Sequence, residues 1–117
     1  MKTLTQSRDH TMTQEKYPWL HACLDALLPT IPLQELWLFG SCARGEQRDN
    51  SDIDLLLLLK DGHTIKKPNL AARKALNQSK ALISYHAICI PQSAFYAKTP
   101  GIIPREAKAE GIKLYPQ

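Results

Sequence analysis

The hydrophobic and polar positions along the chain fall into segments of different period. From Tyr17 to Leu28 the apolar side chains stand at Leu20, Cys23, Leu24, Leu27 and Leu28. That three-and-four spacing lays them along one stripe of a helix. Pro29 and Pro32 end the helix, because proline has no N–H to donate and its ring clashes with the preceding turn. Glu35 to Phe39 is rich in aromatic and aliphatic side chains and stops at Gly40, so it reads as a strand. Ser41 to Ser51 is polar and contains Gly45, which predicts a loop or a short helix. Asp52 to Lys60 holds an unbroken leucine run, Leu55 to Leu59. A strand apolar on both faces belongs in the middle of a covered sheet. Asp61-Gly62 is a turn signal. Pro68 to Ser79 predicts a helix with proline in its first turn. Ile83 to Ile90 predicts a third strand, ended by Pro91. Ser93 to Lys98 follows as a helical turn, and Pro104 to Ala109 as a short helix closed by Gly111. Ile112 to Tyr115 is a short edge strand. This order predicts an α/β (α+β) domain, a mixed β-sheet of about four strands flanked by helices. The polar residues 1–12 predict a flexible N-terminal segment ahead of one domain at 13–117.

Composition narrows the class without choosing a function. A chain of 117 residues holds one hydrophobic core and little more. No apolar run approaches the roughly 20 residues that cross a bilayer. Met1 to Gln14 lacks the apolar stretch of a signal peptide, so the expectation is a cytoplasmic protein without a membrane. The three cysteines, Cys23, Cys42 and Cys89, are odd in number and form no Cys-x-x-Cys pair. Neither a disulfide framework nor a zinc site is expected. The net charge of +4 and pI of about 9.1 suit an anionic ligand such as a nucleotide, or an acidic partner. The basic stretch Lys66, Lys67, Arg73, Lys74 and Lys80 reads first as a solvated face. Nucleic acid is its weaker alternative.

The candidate chemistry lies between the first two strands. Gly40 lets a strand turn sharply and lets backbone approach a ligand. Ser41 adds a hydroxyl, and free N–H groups at such a turn suit phosphate oxygens. Arg44 and Arg48 offer charge-assisted contacts to the same phosphates. An ordinary turn would look the same in isolation. Asp52 and Asp54 stand two apart at the opening of a strand, so their carboxylates project from one side. Two such charges repel unless a cation or several donors sit between them. Oxygen ligands of this kind suit Mg²⁺ or Mn²⁺; the alternative is a solvated pair capping the turn. If the two strands are antiparallel neighbours, Gly40-Ser41 and Asp52/Asp54 meet at one sheet edge. A phosphate cradle beside metal-binding carboxylates is the apparatus of phosphoryl or nucleotidyl transfer.

The run Leu38-Phe39-Gly40-Ser41-Cys42-Ala43-Arg44-Gly45-Glu46, followed by Asn50-Ser51-Asp52-Ile53-Asp54-Leu55, resembles the signature of the minimal nucleotidyltransferases of the DNA polymerase β-like superfamily. That signature is Gly-Ser, ten residues, then Asp-x-Asp, and the chain matches it without a gap. The likeness is strong over Leu33 to Leu59 and extends weakly to Glu110-Gly111-Ile112-Lys113-Leu114-Tyr115. It implies the polymerase β-like nucleotidyltransferase fold. It also implies that Gly40 and Ser41 hold the triphosphate and that Asp52 and Asp54 bind metal, Mg²⁺ or Mn²⁺. The implied activity is transfer of a nucleoside monophosphate from a nucleoside triphosphate, ATP first among the candidates, to a hydroxyl on a partner. Relatives of this size often act as antitoxins beside a HEPN-type protein, which makes such a protein the implied partner.

One feature of that family is missing. Its members usually carry a third carboxylate at the start of the next strand. A strand–helix–strand connection makes the second and third strands parallel and brings their starts to one edge. Here the stretch reads Ser84-Tyr85-His86-Ala87, and no Asp or Glu occurs between Asp61 and Glu106. Alignment puts the missing carboxylate at Tyr85. A slip of one residue puts it at His86, which could act as a base or a metal ligand. Glu46 and Asp49 in the connecting loop are possible substitutes. The alternative to catalysis is a weakened nucleotide- or partner-binding module.

Overall fold

The computed structural model describes residues 17–40, 43–45, 52–78, 84–98 and 101–116. The expected flexible segment 1–12 lies outside them, as do Ser41, Cys42, Glu46, Arg48 and Asp49. Helix α1 is Leu20–Leu27 and buries Leu20, Cys23 and Leu27; of the stripe read from the spacing, Leu24 is half-buried and Leu28, past the helix end, is exposed. It ends where Thr30 and Ile31 both donate N–H groups to the Leu27 carbonyl, which closes the last turn tightly before Pro32. Strand β1, Leu33–Phe39, begins two residues before its predicted start, because Leu33 pairs with Leu59 across a register shift. Strand β2 is Ile53–Leu59, helix α2 Pro68–Gln78 and strand β3 Tyr85–Pro91. A four-residue helix α3, Gln92–Phe95, precedes α4, Ile102–Glu110, and β4, Ile112–Tyr115.

The four strands make one mixed sheet in the order β3-β2-β1-β4. Strand β1 is antiparallel to both β2 and β4, whereas β2 and β3 are parallel. The leucine run therefore occupies an interior strand. Leu55, Leu57 and Leu59 face α1 and α2, joining Leu36, Leu38, Cys23 and Leu27. Leu56 and Leu58 face the other way, onto Phe39, Phe95 and Ala107. None of the five leucines is more than 1% exposed. Burying each contributes roughly 2 kcal/mol, which explains why the run has no polar interruption. Pro91 pairs with Leu59 within β3, one residue past the predicted end of that strand. An edge strand tolerates a proline whose missing N–H would point outward. Helix α4 starts at Ile102, ahead of Pro104, because a first-turn proline gives up an N–H that has no helical partner anyway. Gly111 closes α4 as predicted. Its φ is −77°, and the need for glycine is steric: a Cβ there would run into the Ala107 carbonyl.

One buried charge interrupts the apolar layer under α3. Glu35 is 4% exposed and accepts hydrogen bonds from Gln92 Nε2 at 2.6 Å, Tyr96 Oη at 2.8 Å and Trp37 Nε1 at 3.1 Å. Lys113 Nζ stands 3.8 Å away on β4. Burial by itself pushes the Glu35 carboxyl up. The bonds from Gln92, Trp37 and Tyr96, with the Lys113 charge, outweigh it and hold the group below its ordinary range. Among the described residues no helix is long and apolar enough to cross a membrane.

Candidate active site

The β1–β2 ladder closes on the pair Phe39 and Asp54. The next residue, Gly40, turns away with φ +73°, a conformation that costs a residue with a Cβ about 1–2 kcal/mol. A Cβ at Gly40 would also collide with Asp54 Oδ2. Glycine is thus required twice, once by the backbone and once by the approaching carboxylate. Beyond it, Arg44 N donates to the Gly40 carbonyl at 3.2 Å. Asp52 is exposed and lies just before β2, two residues from Asp54. The antiparallel pairing brings Gly40, Asp52 and Asp54 to one edge. Ser41, the other phosphate-binding candidate, lies outside the described residues.

The third strand settles the choice between Tyr85 and His86. Parallel pairing aligns Ile53 with Tyr85 and Asp54 with His86, and Ile53 N donates to Ser84 O at 2.9 Å to fix that start. His86 therefore shares the face of Asp54, with Nδ1 3.1 Å from Oδ1. The alignment to Tyr85 is off by one. Tyr85 points through the opposite face, its ring 6.0 Å from that of Trp19 in an edge-on packing. Burial and the neighbouring Cys23 push the Tyr85 phenol up to about 12. Its hydroxyl is buried and has no hydrogen-bond partner among the described residues. Pattern alone could not separate the two, because both belong to a half-buried edge strand whose burial does not alternate cleanly.

Arg44, expected at phosphate, sits on the turn after Gly40 and reaches Glu110 Oε2 at 3.0 Å. Both side chains are about half exposed, so the pair is weak and exchangeable. No sequence signal links residues 66 apart; only the return of α4 to β1 does. The described thiols are not nucleophiles. Burial pushes Cys23 up to about 12 and Cys89 up to about 11, leaving almost no thiolate at neutral pH. His63 behaves as a loop residue, its Nδ1 accepting from Ile65 N at 3.2 Å. Among the described residues no three His, Cys, Asp or Glu side chains cluster as a metal site; Asp54 and His86 form a close pair only.

This geometry yields a first test. Gly40→Ala should destabilise the fold by about 2 kcal/mol, from the left-handed backbone and the displaced Asp54 carboxylate. Asp54 would be moved away from the corner, so nucleotide affinity should fall more than stability does. Thermal melting and nucleotide titration on the same preparation read both quantities. A variant with wild-type affinity would show that the Gly40–Asp54 approach is unimportant to the site.

A model of the nucleotidyltransferase domain family matches residues 20–110, which takes in every strand of the sheet except β4. No curated protein matches the chain. Among solved structures, the chain is similar to one described as the crystal structure of a toxin-antitoxin with AMP-PNP. The TM-score is 0.59 at 19% identity, over 83% of this chain and 73% of that one. At that identity the likeness concerns the fold.

Proposed function

The chain belongs to the nucleotidyltransferase domain family, and from that premise we propose that it transfers a nucleoside monophosphate from a nucleoside triphosphate to a hydroxyl on a partner protein. The observation that carries this reading is the convergence at one sheet edge. Asp54 lies against the Gly40 corner on one side and His86 on the other, with Asp52 two residues before it. The Gly40–Ser41 backbone and the Ser41 hydroxyl would hold the β- and γ-phosphates. Asp52 and Asp54 would hold a divalent cation, Mg²⁺ or Mn²⁺. Arg44 would leave Glu110 for a phosphate oxygen, a stronger charge-assisted partner.

The donors fit one such cation shared with the triphosphate. Gly40, lacking a Cβ, lets Asp54 Oδ2 lie against the corner where phosphate is expected, and the triphosphate brings its own oxygens to complete the shell. When bound, the cation neutralises charge that develops on the transferred phosphate. The neighbouring structure's description, a toxin-antitoxin with AMP-PNP, supports ATP as the nucleotide here. It also supports an antitoxin-type role beside a toxin, with a HEPN-type protein as the first candidate. We place this activity in the cytoplasm and in a single catalytic unit at 13–117.

A second reading, nucleotide binding with transfer weakened, is favoured by one observation. The position facing Asp54 on β3 is His86, where a carboxylate would complete a two-cation cage. Incubation with α-phosphate-labelled ATP, a divalent cation and a candidate toxin distinguishes the two. Label on the toxin with the wild type supports transfer. Cation-dependent ATP binding by calorimetry without transfer supports the second reading. Absence of ATP binding under every condition removes both.

A further inference from the structure

We propose that His86 is a direct ligand of the cation at Asp54, and that the site consequently favours a nitrogen-accepting transition cation such as Mn²⁺ over Mg²⁺. This rests on the nucleotide and cation site proposed above and concerns which ion that site selects. Three observations on His86 lead to it. The parallel register sets Asp54 and His86 side by side, so backbone hydrogen bonds, and no flexible loop, fix the relative position of the two residues. Nδ1 and Oδ1 stand 3.1 Å apart. Two ligand atoms at adjacent corners of an octahedron, each about 2.1 Å from its cation, are separated by roughly 3 Å. The pair therefore already has the spacing of neighbouring ligands. Finally, the His86 side chain is 61% exposed, which gives its ring access to solvent and lets protons exchange there.

Without a cation, Nδ1 and the carboxylate are within hydrogen-bond distance, Nδ1 being the donor in the tautomer that carries its proton there. A bound cation would be met by the tautomer that leaves Nδ1 unprotonated. The proton would then reside on Nε2, exchanged through solvent, and the Nδ1 lone pair would be available to the metal beside Oδ1. The other carboxylate oxygen, Oδ2, stays at the Gly40 corner, where phosphate is expected. Imidazole nitrogen is a good ligand for first-row transition ions and a poor one for Mg²⁺, which demands oxygen. Replacing an oxygen ligand by nitrogen on β3 therefore moves the preference of the whole site.

Mn²⁺ is its own probe, because its electron spin senses directly ligated nitrogen. The experiment uses the full chain with a non-hydrolysable ATP analogue, Mn²⁺, and isotope-labelled histidine read by pulsed electron paramagnetic resonance. Mn²⁺ and Mg²⁺ titrations run alongside. The wild type should show histidine nitrogen coupled to Mn²⁺, and His86→Ala should lose it. His86→Ala should also weaken Mn²⁺ about tenfold while changing Mg²⁺ less than about threefold. His86→Asp should reverse the preference toward Mg²⁺. If Mn²⁺ binds, is lost in Asp54→Ala, and shows no histidine nitrogen, His86 is only a hydrogen-bond partner; the inference fails and the proposed site stands. If neither cation binds with the analogue, the proposed site fails and the inference goes with it.

Discussion

Replacing Asp54 with alanine should lower nucleotidyl transfer by about a thousandfold, while leaving the fold intact. Asp54 is the residue on which the edge converges, between the Gly40 corner and His86. In the proposed reaction its carboxylate holds the cation that offsets charge developing at the transferred phosphate. Loss of one preorganised electrostatic contact of that kind costs about 3–4 kcal/mol of transition-state stabilisation, which is about a hundred- to a thousandfold in rate. The metal would be displaced as well, so the upper end applies. The fold should survive because Asp54 closes the ladder, carries a part-exposed side chain, and contributes no core volume. The measurement is label transfer to the toxin partner, with circular dichroism and melting as controls for folding. A variant that keeps a tenth of the wild-type rate would remove Asp54 from the chemistry.

Glu35→Ala has the largest expected effect on stability. Truncation takes the acceptor from Gln92, Tyr96 and Trp37 at once and leaves Lys113 without its buried counter-charge. Breaking a buried hydrogen-bonded charge cluster from one side costs about 3 kcal/mol. For a chain of this length that lowers the melting temperature by about 10 °C or more. The damage should be local to α3 and β4, since Gln92 and Tyr96 tether that short helix to β1. Glu35→Gln keeps one acceptor oxygen and should lose less. The pH dependence has a definite sign. The folded-state pKa of Glu35 lies below its ordinary value near 4.5, so its ionised form stabilises the fold above that value. The contribution fades as pH falls through the lowered folded pKa. Melting curves across acidic pH should therefore converge for wild type and Glu35→Ala. Parallel curves with a constant offset would show that the Glu35 charge contributes nothing.

The parts of this protein that were legible in the sequence are those governed by short-range physics. Helical spacing located α1 and its buried stripe. An unbroken leucine run required a strand covered on both faces, and β2 is that strand, interior to the sheet. Prolines and glycines marked the ends because their backbone limits act within a few residues. The candidate site was legible for the same reason. Gly40, Asp52 and Asp54 lie on either side of one connection between antiparallel neighbours, so a local pattern suffices to bring them together.

What the tertiary structure alone decided depends on contacts between distant segments. Tyr85 and His86 are adjacent, and a shift of one residue exchanges their faces. Only the backbone pairing of β3 with β2 assigns His86 to Asp54 and Tyr85 to the Trp19 side. Glu35 looked like any polar residue of a strand. It is buried because α3 and β4 return over it from more than fifty residues later. Arg44 meets Glu110 for a similar reason. Periodicity reports which face of an element is apolar, whereas partners across a sheet or beneath a returning helix are set by register and topology, which no single segment encodes.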